Sequence, residues 1–182
     1  LDKDTSGLII AAKNDVAHRN LAEQFAVHSI DRVYQAVAWG VPQKSSGVIE
    51  GNIGRSPKNR KKMAVLALGG KPAETHYRVI RPLGRGPETL AFAALIECRL
   101  KTGRTHQIRV HMAHIGHPIV GDPVYGGRRG RTGHGGDENF GALVAALGRQ
   151  ALHAYRLGFV HPASGEQLTF ESKLPADLQA LL

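Results

Sequence analysis

What most constrains the fold of this chain is a succession of period-two apolar patterns between residues 33 and 100, separated by turn signals instead of helical ones. In residues 33–39, Val33, Val37 and Trp39 point one way and Tyr34, Ala36 and Ala38 the other, since successive side chains of a strand face opposite sides. Tyr34 thus stands above small neighbours, leaving room over one sheet face for something flat, although a tyrosine packed in a core has the same pattern. Strand patterns follow at 47–55, 64–68 and 74–80, with the basic stretch Lys58-Asn59-Arg60-Lys61-Lys62 between the first two. A long one spans 89–100, where Leu90, Phe92, Ile96, Cys98 and Leu100 share a parity. Strands that outnumber the helices, and do not alternate with them, predict an α+β fold with a largely antiparallel sheet, not a doubly wound parallel one.

The flanking segments fit that frame. The continuous apolar run 8–12 predicts a strand buried on both faces. Asn14 or Asp15 can cap a helix carrying Ala17, Leu21 and Phe25 at helical spacing. A second helix, capped by Thr105, presents Ile108, Met112 and Ile115 as its buried stripe and ends at Gly116 and Pro118. Residues 126–139 are Gly-rich and basic without periodicity, which predicts a mobile loop, and 142–147 a short helix. Residues 151–160 and 167–171 should pair across the turn at 162–165, and Pro175 should start a terminal helix.

At 182 residues and 42% hydrophobic, the chain can bury the core of one domain. Its apolar stretches fall well short of the roughly 18 residues of a membrane span, so a soluble, non-membrane protein is expected. The single cysteine, Cys98, cannot form an internal disulfide and reads as a core thiol, which fits a reducing cytoplasm. A formal net charge of +9 points to a polyanionic partner without distinguishing RNA, DNA or a membrane surface.

Two segments far apart in the chain carry the chemistry: Leu1-Asp2-Lys3-Asp4-Thr5-Ser6-Gly7-Leu8 and Gly103-Arg104-Thr105-His106-Gln107-Ile108-Arg109-Val110-His111. The first offers a carboxylate on a turn, the second a guanidinium at a helix start. A nucleophilic carboxylate must stay ionised and aimed, and a facing arginine does both through its charge and its fork of donors. Taken alone, the Asp-rich segment is equally consistent with turn chemistry, its side-chain oxygens bonding nearby amides. His106, His111, His114 and His117 also invite a metal reading, because positions 111 and 114 share a helix face. Gly69-Gly70 and Gly126-Gly127 lack the strand, loop and helix order of a phosphate cradle.

The two segments closely resemble the catalytic loop and arginine motif of RluA/RluD-type pseudouridine synthases. The resemblance continues through Arg32-Val33-Tyr34-Gln35-Ala36, Lys71-Pro72-Ala73-Glu74-Thr75, Gly116-His117-Pro118-Ile119-Val120-Gly121-Asp122-Pro123-Val124-Tyr125-Gly126 and Leu152-His153-Ala154. The tail, with His161-Pro162-Ala163-Ser164-Gly165 and Leu174-Pro175, looks more like the RluD branch. The resemblance implies a bent mixed sheet, mostly antiparallel, with flanking helices and a central cleft. It also implies an isomerase that converts uridine to pseudouridine in large-subunit ribosomal RNA, acting on that RNA or the precursor subunit as a cytoplasmic monomer without cofactor or metal. Asp2 would be the nucleophile, Arg109 its partner and Tyr34 the catalytic residue that stacks on the base and helps move a proton from its C5 position. Arg104 matches a second basic position of the same motif. RNA contacts are expected among Arg55, Lys58, Arg60, Lys61, Lys62, Arg104, Arg128, Arg129 and Arg131, because clustered cations release counterions from phosphates.

Family members carry a His-Arg pair just before the Leu-Asp and often a small S4-like RNA-binding domain, whereas this chain opens on Leu1. Residues 1–182 are therefore expected to be an N-terminally truncated catalytic domain, with Asp2 close to a free end. The competing expectations are a non-catalytic basic RNA-binding module and a metal-dependent hydrolase built on Asp2, Asp4 and the histidines.

Overall fold

The computed structural model describes residues 1–84, 91–126 and 138–182. Its strands are β1 (Ser6–Gly7), β2 (Asp31–Trp39), β3 (Ser46–Arg55), β4 (Met63–Leu66), β5 (Lys71–Leu83), β6 (Ala93–Leu100), β7 (Leu152–Val160) and β8 (Gln167–Glu171). The helices are α1 (Asp15–Ala26), α2 (Gln107–His114), α3 (Glu138–Leu147) and α4 (Ala176–Gln179). All eight strands join one sheet in the order β1-β7-β2-β6-β5-β3-β4, with β8 also on β7. Of the strand pairings among the described residues, only β1 with β7 is parallel, so the α+β, mostly antiparallel expectation matches.

The antiparallel ladder follows from the period-two patterns, but the centre of the sheet is covered on both faces. Ala36, Val37, Ala38 and Trp39 are all buried, as are Ala93, Ala94, Leu95 and Ile96 on the neighbouring β6. One face meets α2 through Ile108 and Met112; Phe140 and Leu147 of α3 and Leu178 of α4 belong to the same cluster. Each such side chain removed from water contributes roughly 1.5–3 kcal/mol. Cys98 lies in this core, where burial pushes its thiol up to about 12, as expected of a structural cysteine. A smaller cluster holds α1 to the end of β7 through Leu21, Ile30, Leu157 and Phe159.

Several local expectations are corrected. Residues 8–12 are not a strand buried on both faces: Leu8 and Ile10 pack on the α1 cluster while Ile9 is 72% exposed, so an alternation was concealed by an unbroken apolar run. The strand instead comes earlier, at Ser6–Gly7, followed by a bond from Leu8 N–H to the Ala154 carbonyl. Thr105 does not cap α2. The cap is His106 in the left-handed conformation (φ 56°), with no capping bond from its side chain. Gln107 Oε1 instead orders the segment before the helix, accepting from Arg104 N–H at 2.9 Å and from the Thr102 hydroxyl at 2.8 Å. The helix predicted at 142–147 starts at Glu138; of the loop predicted over 126–139, residues 127–137 lie outside the described residues. β4 stops at Leu66, leaving Leu68 exposed, while β5 extends well beyond 74–80. β6 starts at Ala93, and positions 89 and 90 of its predicted range lie outside the described residues. Asn14 caps α1 as expected, accepting from Ala17 N–H at 2.9 Å.

Three connections bring distant segments together. The outer edge of β7 is divided, with β1 on His153 and Ala154 and β8 on Arg156 to Val160. Gly7 is needed there: its φ is +107°, and a Cβ would stand 2.3 Å from the Ala154 carbonyl oxygen. The segment after α2 runs beside β2, with Trp39 N–H on the Pro118 carbonyl and Val120 N–H on the Val37 carbonyl. That placement carries Asp122 back under the helix. Gln107, buried at the start of α2, donates to the Glu74 carbonyl and the Thr75 hydroxyl of β5.

His111 is fully buried beside Thr75, with Nδ1 3.0 Å from the hydroxyl and no hydrogen-bond partner for Nε2 among the described residues. Burial, reinforced by His114, pushes its pKa from 6.5 down to about 4. The unfolded chain takes up a proton near pH 6.5 that the folded chain refuses until about pH 4, so this contribution to stability is complete above 6.5 and is lost as pH falls through that window. The loss should be on the order of 3 kcal/mol. Urea unfolding of His111→Gln should accordingly show a flatter stability profile than the parent between pH 7 and 4.

Candidate active site

Arg109 is only 4% exposed, which a lone guanidinium would not tolerate. It is neutralised from two sides. Nε donates to Asp122 Oδ2 at 2.7 Å and Nη2 to Asp122 Oδ1 at 2.9 Å, a two-bonded fork, while Nη1 donates to Asp2 Oδ2 at 3.2 Å. Asp122 Oδ1 also accepts from the N–H groups of Val124 and Tyr125. Burial alone would raise the Asp122 pKa, but the Arg109 bonds and then the two amides outweigh it and hold the carboxyl below its usual range. Burial likewise opposes the Arg109 charge, and its bonds to Asp122 and Asp2 more than offset that, so its pKa rises.

The two carboxylates therefore differ in kind. Asp122 is buried with its oxygens occupied, whereas the Asp2 side chain keeps 23% of its surface exposed. Asp2 is the member free to meet a substrate. Its loop is closed by a bond from Thr5 N–H to the Asp2 carbonyl, with Asp4 in the left-handed conformation. The buried amide of Gln150 donates to the Lys3 carbonyl at 2.7 Å and to Thr5 Oγ1 at 3.0 Å, and Ser6 Oγ lies 2.9 Å from His153 Nδ1. A position near the chain start is thus fixed by side-chain bonds to the sheet.

A cleft of about 580 Å³ opens above this pair, large enough for a nucleoside, and is lined by Asp2, Tyr34, Arg32, Arg104, Gln107 and Ile108 among others. Tyr34 and Asp2 thus share one cavity, with Arg109 beneath the carboxylate. Burial raises the Tyr34 pKa, the positive charge of Arg32 opposes this, and the Asp2 charge adds to it, leaving a neutral phenol. On the other side of Arg109, the Tyr125 ring lies 5.2 Å from the guanidinium carbon. Its hydroxyl accepts from Met63 N–H at 3.0 Å and sits 2.8 Å from His106 Nδ1, tying the start of β4 to the helix.

The remaining basic residues divide. Arg104 reaches the cleft, its Nε donating to the Pro72 carbonyl at 2.9 Å. Arg55, Lys58, Arg60 and Lys61 are exposed around the β3–β4 turn, away from the cleft lining. Lys62 is half-buried, its ammonium donating to the Val124 carbonyl at 2.5 Å. Arg128, Arg129 and Arg131 lie outside the described residues. The histidines do not converge: His106 meets Tyr125, His111 meets Thr75 and His117 meets the Trp39 carbonyl. Among the described residues, no three His, Cys, Asp or Glu side chains are placed to hold a metal ion. Sequence reasoning missed Asp122, Tyr125 and Arg32. The first two stand in the Gly121-Asp122-Pro123-Val124-Tyr125 motif, which was noticed without a role, and the third stands two positions before Tyr34.

This geometry has relatives. The sequence model of the family described as RNA pseudouridylate synthase matches residues 1–114, which include Asp2, Tyr34 and Arg109. The chain is 51% identical over 184 residues to the ribosomal large subunit pseudouridine synthase D of Zymomonas mobilis, covering all of this chain and 53% of that protein. It is 49% identical over 183 residues to the same-named protein of Neisseria meningitidis serogroup A, covering 100% of this chain and 46% of that one. The chain spans about half the length of the curated relatives it matches. Among solved structures, human RNA pseudouridylate synthase domain containing 1 superposes with a TM-score of 0.73 at 29% identity, over 95% of this chain and 66% of that one. With the family pattern extending through the first 114 residues and the likeness to D-type proteins through the whole length, the chain belongs to the RluA/RluD-type RNA pseudouridylate synthase family.

Proposed function

We propose that residues 1–182 form the catalytic domain of an enzyme that isomerises specific uridines to pseudouridine in large-subunit ribosomal RNA. The observation that carries this reading is the pairing of a solvent-reachable Asp2 with a buried Arg109 at the base of a cleft that also contains Tyr34. The target nucleotide is flipped into the cleft, because its glycosidic bond is out of reach within a stack. Asp2 provides the nucleophilic carboxylate, aimed by Arg109; the bond it forms to C1′ as N1 leaves is broken again when C5 attacks that carbon, which regenerates the free carboxylate. The bond from N1 of uracil to C1′ breaks, the base turns over, and C5 joins C1′. The C5 proton leaves to solvent and N1 takes one up, so the product is an isomer of the substrate. Tyr34 stacks on the base during this rearrangement. Nothing in that balance calls for a redox cofactor or a hydrolytic water, so none is assigned.

The exposed cations around the β3–β4 turn supply phosphate contacts outside the cleft, together with Arg104 at its wall. The enzyme acts as a monomer in the cytoplasm. Among the described residues no helix is long and apolar enough to cross a membrane.

Three substitutions test the roles. Asp2→Asn should abolish tritium release from RNA carrying C5-labelled uridine while leaving RNA affinity within about threefold, because one exposed carboxylate contributes little to binding a polyanion. Unchanged turnover would remove Asp2 from the reaction, and full-length protein that binds ribosomal RNA without any turnover would mean a binding module. Asp122→Asn removes the buried charge facing Arg109 and should cost about 3–5 kcal/mol of stability by urea unfolding, with kcat falling further than affinity. Tyr34→Ala should lose roughly 1–3 kcal/mol of transition-state stabilisation, read from kcat/KM, whereas Tyr34→Phe keeps the stacking surface and most of that energy.

A further inference from the structure

Arg32 is a cleft-lining cation for which neither the fold nor the chemistry above has a use. It makes no ion pair among the described residues. Asp31 beside it is taken by Arg99 and Arg156, and Asp2 by Arg109. Yet the guanidinium is held in place. Its carbon lies 5.5 Å from the Phe25 ring centre, Nη2 donates to the Lys101 carbonyl at 3.3 Å, and Nε is buried without a hydrogen-bond partner among the described residues. The opposite wall is Gly103, where a Cβ would stand 2.5 Å from Nη1, so a larger residue there would push the end of the Arg32 side chain aside. Burial, partly opposed by Tyr34, lowers the Arg32 pKa. A cation held partly desolvated with one carbonyl as its polar partner stands ready for an anion.

From this arrangement we infer that Arg32 binds a backbone phosphate of the nucleotide that enters the cleft, next to the base on Tyr34. The phosphodiester fits on three grounds. It is the anion that every RNA nucleotide carries into a cleft with its base. The guanidinium fork matches its oxygens better than an ammonium does. The neighbouring aromatic and apolar wall, from Tyr34 to Ile108, suits the base instead of the phosphate. Arg32 thereby has a positioning role distinct from that of Arg109, whose donors are divided between Asp122 and Asp2. Naming the anion as RNA rests on the proposed function.

The test uses the full protein with a short uridine-containing RNA, read both by equilibrium binding across a potassium chloride series and by tritium release. Arg32→Ala should raise KM about tenfold with kcat within about twofold, the loss of one charge-assisted contact. It should also reduce the slope of log affinity against log salt by about 0.7, so that the variant's disadvantage shrinks about fivefold between 0.05 and 0.5 M salt. Arg32→Lys should recover most of the slope and less of the affinity. Gly103→Ala, which keeps the charge but displaces it from its slot, should raise KM in the same direction and remains informative if Arg32→Ala does not fold. Neutral methylphosphonates placed singly beside the target uridine should weaken the parent at one site and leave Arg32→Ala indifferent there. A parental salt slope in both Arg32 variants, or methylphosphonate losses equal in parent and variant, would overturn the assignment. Altered slopes in a protein that forms no pseudouridine would sustain the phosphate contact and sink the proposed function instead.

Discussion

The site depends on a buried arginine shared unequally between two carboxylates. Arg109 could not remain charged and almost fully buried without Asp122, whose fork of bonds and backbone amides fix the guanidinium plane. Only then does Nη1 point at Asp2. The Asp122 carboxylate is spent inside the protein, whereas Asp2 makes one bond to Arg109 and keeps part of its side chain at the surface. A single ion pair at the surface would be weak and salt-sensitive, whereas this one has its geometry set from beneath.

The sheet explains how residues so distant in sequence come together. Asp2 rides on a loop attached to the edge of β7, Tyr34 stands on the adjacent β2, and Arg109 projects from α2, whose Ile108 and Met112 share a core cluster with β2 side chains. Asp122 returns through a segment bonded to the end of β2. Gln107 serves as a hub at the mouth of α2, joining the helix to β5 and to the segment that bears Arg104. The Tyr125 hydroxyl ties the β3–β4 hairpin to the underside of the same arginine.

How much of this was legible in the residues depends on how local each cause is. The long antiparallel strands were readable because alternation is a local signal, as for β3, where the expected 47–55 became Ser46–Arg55. Residues 8–12 misled because five apolar side chains in a row hide which ones face inward. The start of α2 misled because its order comes from a left-handed His106 and a glutamine reaching backward, not from a capping hydroxyl. Asp2, Tyr34 and Arg109 stood out through motif resemblance, and the structure sets Asp2 against Arg109 and beside the Tyr34 cleft. Asp122 did not, since an acid between glycine and proline looks like an ordinary turn, and its partner across the helix is visible only in three dimensions. Arg32 was equally hidden, because a strand arginine usually points to solvent and only the fold reveals its slot between Phe25 and Gly103.

The divided outer edge of β7 has a consequence for assembly. An unpaired strand edge is a template on which another chain can add, and β7 would present one at His153 and Ala154 were Ser6 and Gly7 not seated there. The same short peptide that aims the acid also closes that template. Detaching it would therefore expose a sticky backbone ladder as well as pull Asp2 away from Arg109, so the loss of that ion pair and self-association would be expected to begin at a common point.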